Sequence, residues 1–234
     1  MRIRVLAVYF GRLPDYLPLF LRSCAANPHI DWLILTDRIP RVESPANLAF
    51  IETTLANVRN RVREATGVEP CLFSAYKLCD FRPAYGLVFS DYLAGYDFWG
   101  HCDLDMLFGS LASFVTRELL ERYDRLFSRG AFILYRNCPR ANEFFRLTCP
   151  GIDYQHVFSS PRSFAFDEWG GMHRILQEHG IETYGGHNIA DIKPNRYHLE
   201  MGNQHDREDQ AFLWSRGRAS AHFRQNGLAR QGTF

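Results

Sequence analysis

The sequence predicts an α/β fold, a mostly parallel sheet flanked by helices, and three observations carry that expectation. Short apolar runs at residues 3–10, 32–35 and 48–53 read as buried strands. Residues 15–26 and 55–66 show helical spacing between and after them. The resulting order of strand, helix, strand, strand, helix is that of layered α/β domains built on parallel strands.

Each element has its own signal. The run at 3–10 closes at Gly11. In 15–26, Tyr16, Leu19, Phe20 and Cys24 share a face, and Asn27-Pro28 ends the helix. The second strand closes at Thr36-Asp37, and the polar helix at 55–66 stops at Gly67. Residues 71–89 read as helical, with Pro83 interrupting or kinking them. A strand at 97–101 is followed directly by Asp103-Leu104-Asp105. Then come a helix at 111–123, a strand at 131–135, a helix at 141–147 and a helix at 169–179 closed by Gly180. Residues 185–207 read as polar and irregular, and 212–223 as a last strand. Nothing marks an internal boundary or a repeat, so 1–234 is expected to be a single domain.

Composition narrows the function classes. The chain has 234 residues, enough for a sizeable core, and 46% of them are hydrophobic. Aromatics reach 15%, mostly as core with part available to line a pocket. With 27 basic against 26 acidic residues there is no basic excess, which argues against nucleic acid as a partner. The cluster Arg59-Asn60-Arg61-Val62-Arg63 reads as a solvated helix face, with a phosphate-facing or membrane-surface role as the alternative. The 6 cysteines include no C-x-x-C pair and fit neither a zinc module nor a disulfide framework, so reduced thiols are expected. The opening apolar run is too short for a signal peptide, and no window approaches a membrane span. The expectation is a cytoplasmic protein, with peripheral association at the inner face of the membrane left open. Oligomeric state and extension of the native chain beyond Phe234 are left open too.

Asp103-x-Asp105 carries the chemistry. The bare triplet is close to chance; its place is what counts. It follows the apolar strand end Phe98-Trp99 and precedes Met106-Leu107-Phe108-Gly109. In open parallel sheets ligands sit beyond the carboxyl ends of strands. Two carboxylates among apolar residues repel each other and resist desolvation, and a hard divalent cation relieves both costs.

Phe98-Trp99-Gly100-His101-Cys102-Asp103-Leu104-Asp105 resembles the D-x-D segment of GT-A glycosyltransferases. With the upstream run Tyr76-Lys77-Leu78-Cys79-Asp80-Phe81-Arg82-Pro83-Ala84-Tyr85-Gly86, it is similar to a bacterial GT-A-like family associated with cell-surface polysaccharides. Val8-Tyr9-Phe10-Gly11 and Ile34-Leu35-Thr36-Asp37 fit that family's first two strands, and the likeness is firmest over residues 1–137. It implies a GT-A (Rossmann-like) mixed sheet, a nucleotide-binding part at 1–110 and an acceptor-side part at 111–234. The cofactors implied are Mn²⁺ or Mg²⁺ and a nucleotide-sugar donor, usually a UDP-sugar, with a glycan or glycolipid as acceptor.

Carried over residue by residue, Tyr9, Phe10 and Gly11 would meet base and ribose, and Asp37 would accept a hydrogen bond from them. Lys77 and Arg82 would face the diphosphate, with Asp80 beside them; an ion-paired structural helix explains these residues as well. Asp103 and Asp105 would hold the metal, with His222 as third ligand and His187 as second candidate. His101 reads as a packing and hydrogen-bonding residue rather than a ligand. Asp167 and Glu168 would bind the acceptor or, if the transfer inverts, take its proton; helix capping explains acidic residues there equally well. Two other classes compete: a metal-dependent nucleotidyltransferase or nucleotide-sugar hydrolase, and a non-catalytic sugar-nucleotide-binding domain.

Overall fold

The computed structural model describes residues 1–128, 130–186, 189–193, 198–201, 208–225 and 228–233. In chain order the first part runs β1 (Ile3–Tyr9), α1 (Leu17–Ala25), β2 (Ile30–Thr36), β3 (Leu48–Glu52) and α2 (Leu55–Thr66). A 3₁₀ segment (Ala75–Ala84) leads into α3 (Tyr85–Val88) and β4 (Phe98–Cys102). Then follow α4 (Arg117–Arg122), β5 (Arg125–Leu126), β6 (Phe132–Arg136), α5 (Pro139–Asn142) and α6 (Tyr154–Ser159). A wide turn (Trp169–His173) precedes α7 (Arg174–Glu178) and β7 (Thr183–Tyr184). The C-terminal part is β8 (Ala190–Lys193), β9 (His198–Met201), β10 (Glu208–Ser215), β11 (Arg218–Gln225) and β12 (Leu228–Thr233).

Seven strands form the main sheet in the order β3-β2-β1-β4-β6-β5-β7. β6 is antiparallel to both β4 and β5, while the other pairings are parallel. This is the mixed, mostly parallel sheet expected of the fold class. Alternate side chains feed two cores. Leu6, Leu33, Trp99 and Ile133 pack beneath α2, α3, α6 and α7 on one face. Val5, Ile34, Phe98 and Leu134 pack beneath α1 and the segment after β4 on the other. α2 starts where Thr54 accepts from the Asn57 amide at 3.1 Å and ends at Gly67, φ 76°.

β4 needs its glycine. A Cβ on Gly100 would lie 2.4 Å from the Ile133 carbonyl oxygen and 2.5 Å from Leu134 Cδ2. Gly100→Ala should lower the unfolding free energy by about 1–3 kcal/mol, read from urea unfolding, because β6 must move to admit one methyl.

Several expected elements are redrawn. Residues 71–89 form a 3₁₀ segment and one short α turn rather than a kinked α-helix, because Pro83 removes an amide donor inside it. Residues 111–123 and 141–147 break into short 3₁₀ and α pieces. The single last strand becomes a three-stranded antiparallel sheet, β10-β11-β12. The irregular stretch contains β8 and β9, which pair antiparallel. No helix among the described residues is long and apolar enough to cross a membrane.

Candidate functional site

The strand order reverses between β1 and β4. β1 continues through β2 to β3 on one side, and β4 continues to β6 on the other. In open α/β sheets the crevice beyond the carboxyl ends at such a point is where ligands bind. Tyr9, Phe10 and Gly11 end β1, Asp37 follows β2, and Asp103 and Asp105 follow β4, all at that edge. Gly11 turns the chain at φ 98°, a conformation glycine adopts without strain. Its amide donates to both Asp37 oxygens, at 3.1 and 3.2 Å, tying the first two strand ends together. Tyr16, which the sequence reading placed on the apolar face of the first helix, is exposed and belongs here. Burial raises its phenol pKa, and negative charge from Asp105, Tyr9 and Asp103 raises it further.

Asp103 and Asp105 have different surroundings. Asp105 is exposed and pairs with none of the described residues. Asp103 is half-buried and accepts from Arg82 Nη2, while its amide bonds back to Ala131 O at 3.0 Å. Burial raises the Asp103 carboxyl pKa against the pull of Arg82, and Asp105 and Glu168 add to the rise.

Arg82 is the hub. Its Nη1 donates to Asp167 Oδ2 at 2.8 Å and to Gly130 O at 3.2 Å, while Nη2 reaches Asp103. Burial alone would lower its pKa; Asp103 and Asp167 outweigh that and hold the guanidinium charged. Asp167 is 1% exposed, whereas its neighbour Glu168 is exposed. The expected acid pair is therefore split, with Asp167 as Arg82's buried partner and Glu168 toward solvent. Burial pushes Asp167 up to about 6, opposed by Arg82 and helped by Glu168 and Asp103. A carboxyl raised above its ordinary 3.8 stabilises the fold at acid pH and loses that contribution as pH rises through about 6. The native chain should gain stability relative to Asp167→Asn as pH falls from about 7.5 to about 5, measured as the difference in urea midpoints.

Lys77 and Asp80 form the ion-paired structural alternative rather than a diphosphate-facing pair. Lys77 is 3% exposed and Asp80 0%. The three ammonium protons of Lys77 are taken up by Asp80 Oδ2 at 2.7 Å, Val157 O at 2.8 Å and Arg162 O at 2.5 Å. Asp80 also accepts from the Phe164 and Phe166 amides, at 3.1 and 2.9 Å. This closed network clamps the segment that delivers Asp167 and does not face the strand ends. It also holds Ala165 at φ 48°.

Two further placements matter. His222 is exposed on β11, and His187 lies outside the described residues. Among the described residues no three His, Cys, Asp or Glu side chains converge as a metal-ion set, so His222 is not gathered with Asp103 and Asp105. Behind the hub lies a buried polar cluster that the sequence did not reveal. Arg125 is 0% exposed, and its guanidinium nitrogens have no hydrogen-bond partner among the described residues. The same holds for both His101 ring nitrogens, Tyr135 Oη, Thr183 Oγ1 and Asp167 Oδ1. Register places Arg125 between Tyr135 and Thr183 on adjacent strands. Burial, with Arg82 and Arg125 nearby, lowers the His101 pKa well below the ordinary range and keeps the imidazole neutral. Buried polar atoms of this kind are ordinarily bridged by water.

A family model covers residues 5–234. The chain belongs to DUF6625, a family of unknown function. No curated protein sequence matches this DUF6625 chain. Among solved structures it is similar to the galactosyltransferase LgtC in complex with donor and acceptor sugar analogues, with a TM-score of 0.35 and 11% identity, over 57% of this chain and 58% of that one. An active-site mutant of LgtC gives a TM-score of 0.35 and 10% identity over 57% of each chain. The chain thus matches less than two thirds of the length of either structure, and likeness at that level decides nothing about activity.

Proposed function

We propose that this chain is a metal-dependent glycosyltransferase moving a sugar from a nucleotide-sugar donor, a UDP-sugar, to a hydroxyl of a glycan or glycolipid. The observation that supports it most is the position of Asp103 and Asp105. They end β4 at the point where strand order reverses, across from Gly11 and Asp37 at the ends of β1 and β2. A flat base and ribose suit the β1 edge, where Gly11 carries no side chain and Asp37 is exposed with lone pairs to spare.

The donor set suits Mg²⁺ or Mn²⁺. Among the described residues it offers two hard carboxylates, without the nitrogen or sulfur ligands that would select zinc, and such ions keep water and take phosphate oxygens beside one or two carboxylates. Asp103 and Asp105 would hold the ion, which when bound neutralises charge on a departing nucleotide diphosphate. Arg82 balances Asp103 and keeps positive potential beneath the same edge. Glu168 is the residue able to accept an acceptor's proton if the transfer inverts, because Asp167 is buried against Arg82.

The test is a thermal-shift panel of nucleotides and nucleotide sugars, with and without Mn²⁺. Stabilisation by uridine nucleotides that requires the metal is expected. Equal shifts with and without metal would favour a non-catalytic binding domain. Nucleoside monophosphate release from the donor, independent of any sugar acceptor, would favour a hydrolase.

A further inference from the structure

A cavity of about 350 Å³ opens beside Asp105. It lies between the segment after β4, which carries Leu107 and Phe108, and the β10-β11 hairpin, which carries Phe212 and Trp214. Its size is that of a small-molecule site. Two contacts seat the hairpin there. Trp214 Nε1 donates to Phe108 O at 2.8 Å. Gly217, φ 76°, packs so tightly on the residue that ends α1 that a Cβ would meet Ala26 Cβ at 2.4 Å. Leu107 and Leu213 lie on the wall and are 42% and 56% exposed.

The lining is one-sided. Asp105 is the one ionisable side chain among the described lining residues, and it stands where the proposed chemistry would take place; the rest of the wall is apolar or aromatic. A free sugar would leave its hydroxyls facing hydrocarbon, and an anionic group would meet no cation. The ligand this wall fits is neutral and two-ended, with hydroxyls toward Asp105 and an apolar group inside.

We infer that the cavity takes the apolar aglycone of the acceptor, so that the acceptor class is a neutral alkyl or aryl glycoside rather than a free sugar. This rests on the glycosyltransferase reading for what happens to the bound glycoside. The attacking hydroxyl is set by the distance from the seated apolar group to Asp105, which makes the hairpin a specificity element for acceptor length.

The test is isothermal titration of the full chain, without nucleotide or metal, with octyl β-glucoside below its micelle concentration and with methyl β-glucoside. The octyl compound should bind at least about tenfold more tightly, since its added methylenes leave water, with a negative heat-capacity change. Leu213→Glu changes an exposed position and should weaken octyl binding at least about tenfold while leaving nucleotide-dependent thermal shifts unchanged. Equal affinity for the two glycosides, or octyl binding indifferent to Leu213→Glu, would overturn the assignment. So would a concentration-dependent dimer abolished by Leu213→Glu, which would give the cavity to a second copy of the chain. Because no nucleotide or metal is present, failure here is separate from failure of the donor-binding test.

Discussion

Arg82→Met should lower the unfolding free energy by about 3–5 kcal/mol at neutral pH, the typical cost of removing one partner from a buried ion pair. Arg82 is 15% exposed at its side chain, Asp167 1% and Asp103 33%. Methionine keeps much of the packing volume and deletes the charge, so the loss reports the stranded carboxylates. Asp103 can recover water, but Asp167 cannot. Since Asp167 already titrates near 6, it escapes part of the cost by taking a proton, and the loss should shrink in mildly acid buffer. Replacing both partners, as Arg82→Met with Asp167→Leu, should recover much of the stability, because an apolar pair carries no unpaid desolvation. Urea unfolding of the two single variants and the double variant measures the coupling directly.

Asp80→Ala should cost about as much, roughly 3–5 kcal/mol, by a different route. It leaves Lys77 with two carbonyl acceptors and no counter-charge, and it strips the Phe164 and Phe166 amides of their acceptor. A solvated i, i+3 ion pair on a helix would cost at most about 1 kcal/mol. Amide exchange at Phe164 and Phe166 should also rise in this variant, because Asp80 is what fixes the approach to Asp167. An unfolding cost below about 1 kcal/mol, with protection unchanged, would mean the clamp is not formed in solution.

These two variants show where the sequence stopped being readable. β1, β2, β3 and α2 could be read almost to the residue, because continuous apolar runs and the Gly67 stop are local signals. The short helices after residue 70 were not, since over one turn an i, i+3 apolar spacing fits an α and a 3₁₀ turn alike. The C-terminal sheet did carry a signal that the single-strand reading passed over. Arg216-Gly217 is a two-residue turn with both residues at positive φ, 50° and 76°, the kind that joins antiparallel strands.

At the site, Tyr9, Gly11, Asp37, Asp103 and Asp105 could be placed together, because each ends a recognisable strand. The sequence reading gave Lys77 and Arg82 the same diphosphate-facing role, with Asp80 beside them. Burial turned Lys77 and Asp80 into a clamp and made Arg82 the partner of Asp103 and Asp167. Arg125 left no trace, since its burial depends on pairing with β6 and β7, far away in the chain. His222 looked well placed only because a strand end was read there; it lies mid-strand in β11, apart from the carboxylates.

The most direct measurement of the central claim is UDP binding by the native chain and by Asp105→Ala, each with and without Mn²⁺. Asp105 is exposed and unpaired among the described residues, so its loss should leave the melting temperature unchanged without ligand. At about 100 times the dissociation constant, UDP with Mn²⁺ should stabilise the native chain by about 2.7 kcal/mol, a rise of roughly 5–10 °C for a chain of this size. Neither UDP alone nor Mn²⁺ alone should do so, and Asp105→Ala should lose the rise. A metal-independent shift, or one that Asp105→Ala retains in full, would contradict the assignment of Asp103 and Asp105 as the metal-holding pair of a nucleotide-sugar site.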